Sequence, residues 1–325
     1  MKCKMTIFDA HSDLWEDVDE KRRRGLDNII RRFHLPNWKT GQISGGIYPI
    51  WVDPFGTAPP AEQALSIIEN MSRELKQAGS IVQVVTSAEQ YIQAEANGRH
   101  AMFLGAEGLS FLEDHSGLEK LYGLGLRCIG LTWNEDNRFA SGSGGDGSTG
   151  LSPLGIRCIQ EMKRLGMLLD LAHAGEKSFW EALNIWDKPL IVSHCGCRAL
   201  CDQRRNLSDE QIRAIAELDG VVGICAYAPF LSDIPENSST AVYARHVAHV
   251  AELVGTEYLG LGFDLVDFLD DFGTDPSISY TVKGFENISH AQQLLAEIRS
   301  LGFSEQEMAQ LCSGNFLRVI KETIA

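Results

Sequence analysis

The sequence lacks an apolar run long enough to cross a bilayer, which requires about 20 consecutive apolar residues. A secretory signal is also missing, since only "MKCKMT" precedes the first apolar segment. The eight cysteines are scattered through apolar segments, and the cluster "HCGCRALC" (194–201) has no second C-x-x-C half that would complete a thiolate metal site. We therefore expect a reduced, cytoplasmic protein without a membrane partner.

Positive charge is scarce as well. The chain has 29 Lys and Arg against 44 Asp and Glu, a net charge of -15. Nucleic acids and anionic membrane surfaces are bound by clustered basic residues, and the one basic run (21–33) is preceded by acidic residues between positions 16 and 20. The charge balance argues against both partners.

The sequence also contains no repeat, no low-complexity linker and no shift in composition that would mark a domain boundary. Its 325 residues, 44% of them hydrophobic, would suit two average domains, but α/β barrels commonly reach this length as one. We expect a single domain over residues 1–325.

Short apolar segments alternate with segments of helical periodicity, an order typical of a parallel sheet covered by helices. The predicted strands lie within 5–13, 43–52, 100–108, 127–134, 166–174, 189–195, 220–227 and 258–265. Clear helical patterns cover 61–79, 151–166 and 207–220. Eight such units predict a (β/α)8 TIM-type barrel. A doubly wound open sheet is the alternative, although G-x-G-x-x-G does not follow the first strand. The glycine-rich stretch 141–150 is interpreted as a flexible loop.

Side chains of metal-ligand type follow several of these strands, where a (β/α)8 barrel places its active site. They are His11 and Asp13, Glu107, His173, His194 and Asp264. Residues i and i+2 of a strand share a face, so the H-x-D pair is aimed at one point. Burying so many titratable groups without a partner would be costly, which indicates that they bind metal. Asp170, three positions before His173, is interpreted as structural.

The number of candidate ligands exceeds what one tetrahedral ion binds. Glu107 can bridge two ions through its two carboxylate oxygens, and imidazole with carboxylate ligands favours zinc or another late first-row metal. Two such ions around one water would equip the site for hydrolysis of an amide or a similar bond.

Seven segments together resemble the membrane (renal) dipeptidase family, peptidase family M19 of the amidohydrolase superfamily. They are "DAHSDLW", "GAEGLSFLED", "LYGLGLRCIGLTWN", "EMKRLGMLLDLAH", "VSHCGCRALCDQRRNLSDEQI", "LGLGFDLVD" and "GNFLRV". Other branches of that superfamily bridge their metals with a carboxylated lysine, whereas strand three here ends in Glu107.

The resemblance implies a zinc-dependent dipeptidase that acts on small dipeptides with a free C-terminal carboxylate. His11, Asp13 and Glu107 would bind one Zn²⁺, and Glu107, His173 and His194 the other, with a hydroxide bridging the two. Asp264 would move the proton from water to the leaving amine, and Arg205, or alternatively Arg204, would bind the substrate carboxylate. Tolerance of a C-terminal D-residue and a homodimer are also implied.

The chain departs from the family pattern at the end of strand four. Characterised members have a segment similar to "LTH" there, and its histidine contacts the scissile carbonyl. This chain has "LTWN" instead. The Trp133 indole donates one hydrogen bond but cannot take a proton, so Asn134 or Asn137 would have to supply another donor. Two alternatives therefore stay open: hydrolysis of another small amide or lactam, and a binding protein without turnover.

Overall fold

A computed structural model describes residues 5–269 and 278–324, and its strands form one parallel sheet. The strands are β1 (Ile7–Asp9), β2 (Ile43–Trp51), β3 (Val82–Val84), β4 (His100–Glu107), β5 (Leu126–Gly130), β6 (Leu168–Asp170), β7 (Ile191–Cys195), β8 (Val221–Ile224) and β9 (Leu259–Leu261).

Helices lie between most of the strands. They are α1 (Leu14–Arg23), α2 (Leu35–Gly41), α3 (Pro60–Gln77), α4 (Ala88–Ala96), α5 (Gly117–Gly123), α6 (Pro153–Leu165), α7 (Glu176–Leu183), α8 (Asp209–Glu217), α9 (Ala228–Leu231), α10 (Thr240–Val254), α11 (Ala291–Arg299), α12 (Glu305–Ala309) and α13 (Asn315–Thr323). Short π-helical turns cover Ile30–His34 and Gln310–Gly314. Short 3-10 turns cover Pro235–Asn237, Thr256–Tyr258 and Ile288–His290. No helix in the described ranges has both the length and the apolar character needed to span a membrane.

Eight of the strands form a nearly closed barrel in the order β1-β2-β4-β5-β6-β7-β8-β9. The two ends of this order meet where the Ala10 amide donates a 2.9 Å hydrogen bond to the Leu261 carbonyl. The predicted (β/α)8 barrel is thereby confirmed, and the open doubly wound sheet was the wrong alternative. Strand β3, which the sequence patterns did not predict, pairs with β4 outside the barrel order.

The strands form where the chain is nearly continuously apolar, since both faces of a helix-covered parallel sheet are buried. All eight residues of β4 are buried. One large apolar cluster packs the helices against the sheet. In a second cluster, the ring of Phe8 in β1 lies 6.1 Å from Phe103 in β4 and 5.5 Å from Phe316 in α13.

Local signals explain where the best-predicted helices begin and end. The Ser152 side chain accepts hydrogen bonds from the first amides of α6, and Gly166 ends that helix with a left-handed φ of 66°. Ser208 and Gln211 form a capping box at the start of α8.

Candidate active site

The six side chains of metal-ligand type meet at the C-terminal end of the barrel. Glu107 and His194 lie within β4 and β7, whereas His11, Asp13, His173 and Asp264 lie in the turns that follow β1, β6 and β9. The expected strand ends at Asp13, His173 and Asp264 were placed too far along the chain, because β1 ends at Asp9, β6 at Asp170 and β9 at Leu261. The short turns still direct these side chains to the same point.

Glu107 lies at the centre of this group. Its Oε1 is 2.8 Å from His173 Nε2 and 3.5 Å from His194 Nε2, and its Oε2 is 3.6 Å from His11 Nε2. His11 Nε2 also lies 3.4 Å from Asp13 Oδ1. One carboxylate oxygen therefore faces His173 and His194, and the other faces the His11 side.

Several atoms of this group are buried without a hydrogen-bond partner in the described part of the chain. They are His11 Nε2, Asp13 Oδ1 and Glu107 Oε1. Such atoms are costly to bury unless a ligand satisfies them. Imidazole nitrogen and carboxylate oxygen are the donors that zinc takes. Ligand atoms of His11, Glu107 and His194, and those of His11, Asp13 and Asp264, lie within 4.8 Å of one another. The residues present fit divalent metal ions.

The imidazoles of His173 and His194 are held in the form that binds metal. Burial lowers the pKa of His173 to about 4, and the nearby Arg205 guanidinium acts in the same direction. Burial, followed by the charges of His11 and Arg205, also lowers the pKa of His194 well below its usual range. Neutral imidazoles offer a free lone pair, as metal ligands must.

The carboxylates favour positive charge at the centre of the site. Burial lowers the pKa of His11, but the Glu107 and Asp13 carboxylates outweigh it and hold that pKa well above its usual range. Burial raises the pKa of Asp264 to about 8; the nearby His11 opposes this rise, whereas Asp13 and Glu107 add to it. Crowded carboxylates of this kind are stabilised by a cation placed among them.

Two candidate residues have unusual backbone conformations. His173 has a φ of 64° and Asp264 a φ of 53°, both in the left-handed region that disfavours residues other than glycine. Such strain costs on the order of 1–3 kcal/mol for each residue and is typical of functional sites. The strained turn directs the His173 side chain towards Glu107 and the Asp264 side chain towards His11 and His194.

A second layer of side chains orients the two metal-facing imidazoles. Asn134 Oδ1 lies 2.8 Å from His173 Nδ1 and also accepts a hydrogen bond from Ser143. Ser193 Oγ lies 2.9 Å from His194 Nδ1. These contacts leave Nε2 of each ring pointing at Glu107, as second-layer contacts do in metal sites. Asn134 was predicted to contact substrate, and its amide oxygen is occupied by these two contacts. The Asn137 side chain bonds to the backbone of its own loop.

Two buried aspartates hold the strand ends in register. Asp9 accepts hydrogen bonds from the amides of His11 and Phe263, at 3.3 and 2.8 Å. Asp170 accepts from the amides of Ala172 and Ser193, at 2.9 and 3.0 Å. Each carboxylate thus fixes the backbone next to two candidate site residues on neighbouring strands. Asp9 was missed in the sequence, although it lies two positions before His11, as an inward-facing residue would.

Arg205 is buried and lies beside the candidate metal ligands. It donates a 2.9 Å hydrogen bond to the His194 carbonyl, and its guanidinium carbon is 5.7 Å from the centre of the Phe230 ring. Arg204 is exposed and bonds to the Gly145 carbonyl in the glycine-rich loop. The buried guanidinium of Arg205 is therefore the better placed of the two to bind a carboxylate in the site.

A cavity of about 150 Å³ opens over the candidate ligands. Its lining combines acidic and aromatic residues: Asp13, Glu16, Trp51, Glu107, Trp133, Asn134, His173, Tyr227, Phe230 and Asp264. The rings of Trp133 and Trp51 pack edge to face with centres 5.3 Å apart. Pockets that bind drug-sized ligands measure about 300–1,000 Å³, so this cavity suits a much smaller molecule.

None of the cysteines in the described ranges belongs to the groups of candidate metal ligands, although the Cys225 thiol donates a 3.7 Å hydrogen bond to Asp264 Oδ2. All seven within the described ranges are buried and free of disulfides, and Cys3 lies outside those ranges. Within the "HCGCRALC" segment, the Cys197 and Cys201 thiols face backbone carbonyls, at 3.6 and 3.5 Å. Burial raises the pKa of both thiols, which keeps them unreactive.

Comparison with known proteins gives consistent matches. The family model for membrane dipeptidase (peptidase family M19) matches residues 1–325. An uncharacterized dipeptidase of Schizosaccharomyces pombe is 34% identical over 344 residues, covering 98% of this chain and 80% of that protein. The crystal structure of dipeptidase AC, a metallopeptidase of family M19, is 25% identical with a TM-score of 0.85 and 99% of both chains covered.

A metallopeptidase from Rhodobacter sphaeroides, crystallised with a phosphinate mimic of the dipeptide L-Ala-D-Ala, has the same fold. It is 23% identical, with a TM-score of 0.86 and coverage of 99% of this chain and 100% of that one.

Proposed function

Because this chain belongs to the membrane dipeptidase family, peptidase family M19, and is a metal-dependent dipeptidase, we propose that it uses two Zn²⁺ ions to hydrolyse small dipeptides with a free C-terminal carboxylate. The observation that carries this proposal is the convergence of five ligand-type side chains on one point, with buried ligand atoms that have no hydrogen-bond partner in the described ranges. His11, Asp13 and Glu107 would hold one ion, and Glu107, His173 and His194 the other. When bound, the ions would lower the pKa of the attacking water and polarise the scissile carbonyl.

Asp264 is proposed to move the proton. Its carboxylate oxygens lie 3.9 Å from His11 Nε2 and from His194 Nε2, and it lines the cavity. One carboxylate can accept a proton from the attacking water and return it to the leaving amine within a single cycle.

Arg205 is proposed to bind the C-terminal carboxylate of the substrate. Replacing Arg205 with lysine is expected to raise KM for dipeptides by about 10-fold or more, because lysine keeps the charge but loses the planar fork that binds a carboxylate bidentately. The measurement is steady-state kinetics, with Arg204→Lys as the matched control. An unchanged KM in Arg205→Lys, with a raised KM in Arg204→Lys, would assign the contact to Arg204.

The presence of Trp133 supports a second candidate function. This bulky side chain lines the cavity and is half-buried, at the position where the resemblance to the family implies a histidine. A reshaped pocket of this kind could favour another small amide or a lactam over a dipeptide.

The experiment that tests the proposed function is a hydrolysis screen of the zinc-loaded protein with L,L and L,D dipeptides and small lactams. The proposal expects turnover of dipeptides, and the preferred configuration of the C-terminal residue shows whether a D-residue is accepted. Turnover of lactams alone would favour the second candidate.

A further inference from the structure

Glu16 differs from the other acidic residues of helix α1. The others each pair with the basic residue four positions later, as Asp17–Lys21, Asp19–Arg23 and Glu20–Arg24. Four positions after Glu16 the chain has Glu20, which cannot form such a pair. Within the described ranges the Glu16 carboxylate has no hydrogen bond or ion pair. Glu16 is therefore an acid without a counter-charge among the described residues.

The Glu16 side chain lines the cavity over the candidate metal ligands. Asp13 occupies the position before the first residue of α1 and Glu16 lies three positions later, so the two side chains share a helix face. Trp51, at the end of β2, lines the same cavity, and its buried indole nitrogen makes no hydrogen bond in the part of the chain that the structure describes. A carboxylate beside aromatic rings is a favourable environment for an ammonium group.

We propose that Glu16 binds the free α-ammonium group of the dipeptide and so makes the enzyme selective for substrates with an unmodified N-terminus. This inference rests on the proposed function, since it concerns the substrate of the same site.

Glu16 and Arg205 come from different parts of the barrel. Helix α1 follows β1 and packs against β2, whereas Arg205 follows β7. In the order of the eight barrel strands, β2 and β7 are four places apart and so face each other. Glu107, at the end of β4, lies in the same cavity. A zwitterionic dipeptide would have its carboxylate at Arg205, its ammonium at Glu16 and its peptide bond at the candidate metal ligands.

The electrostatics of Glu16 support the proposal. Burial and the neighbouring carboxylates of Asp13 and Glu107 raise the pKa of Glu16 to about 8. An ammonium group beside Glu16 would supply the counter-charge that this acid lacks among the described residues. The small volume of the cavity leaves little space for an N-terminal acyl group, which would also remove the positive charge.

The test compares L-Ala-L-Ala and L-Ala-D-Ala with their N-formyl derivatives as substrates of the zinc-loaded protein and of Glu16→Gln. Glutamine keeps the size and polarity of the side chain and removes its charge. In Glu16→Gln we expect KM for the better free dipeptide to rise by about 30-fold or more, as for loss of one partner of a buried charge pair. KM for its N-formyl derivative and the zinc content should stay unchanged.

Glu20→Gln is the matched control, because it removes the same charge one turn along α1 at a position that does not line the cavity. It should keep the preference for the free amine.

Equal losses on both substrates, loss of zinc, or no change in KM for the free dipeptide would each contradict the role of Glu16 while leaving the dipeptidase function intact. A wild-type protein that hydrolyses no dipeptide would contradict the proposed function and this inference with it.

Discussion

Replacing Glu107 with glutamine is expected to reduce the zinc content from near two ions to less than one for each chain. Glu107 is the residue whose two oxygens face both groups of candidate ligands, at 2.8 Å from His173 and 3.6 Å from His11. A neutral amide cannot bridge two cations as a carboxylate does. Dipeptide hydrolysis should fall by more than about 10⁴-fold, the upper end of what one acid–base group contributes, because activation of water is lost as well.

The measurements are elemental analysis of the dialysed protein and initial rates of dipeptide hydrolysis. Glu113→Gln is the control, since Glu113 follows the same strand but is exposed and pairs with Arg138 on the surface. A Glu107→Gln protein that kept two zinc ions would show that another residue joins the metals.

Replacing Asp264 with asparagine is expected to separate catalysis from metal binding. Hydrolysis should fall by about 10²–10⁴-fold, the usual contribution of a proton-transfer group, while the zinc content stays near two. Asparagine keeps the size of the side chain and also tolerates the left-handed backbone at this position, so the turn after β9 should be preserved.

The control for this variant is Asp267→Asn, an exposed carboxylate in the same turn that does not line the cavity. Loss of one zinc ion in Asp264→Asn would identify Asp264 as a ligand, consistent with its closeness to His11 and Asp13. Full activity would remove it from the proton transfer.

The features that could be predicted from the sequence have strong local causes. A strand such as β4 is apolar along its whole length because both of its faces are buried. Glu107 stands out as the acid that ends it. The barrel fold and the convergence of the six side chains could therefore be predicted, since the parallel strands of a barrel all end at one face.

The features that were missed depend on contacts between distant segments. Strand β3 has three residues and pairs with β4 outside the barrel order, so its apolar pattern is too short to detect in the sequence. The role of Asn134 depends on how its loop folds back towards His173, 39 positions later. Glu16 is an exception, because the acid four positions after it is visible in the sequence.

The binuclear site is tested most directly by a crystal structure of the zinc-loaded protein, with anomalous scattering measured on both sides of the zinc edge. Two zinc peaks are expected, one on each side of the Glu107 carboxylate: one bound by His11 and Asp13 and the other by His173 and His194. A single peak, or none at Glu107, would contradict the binuclear site from which the proposed chemistry follows.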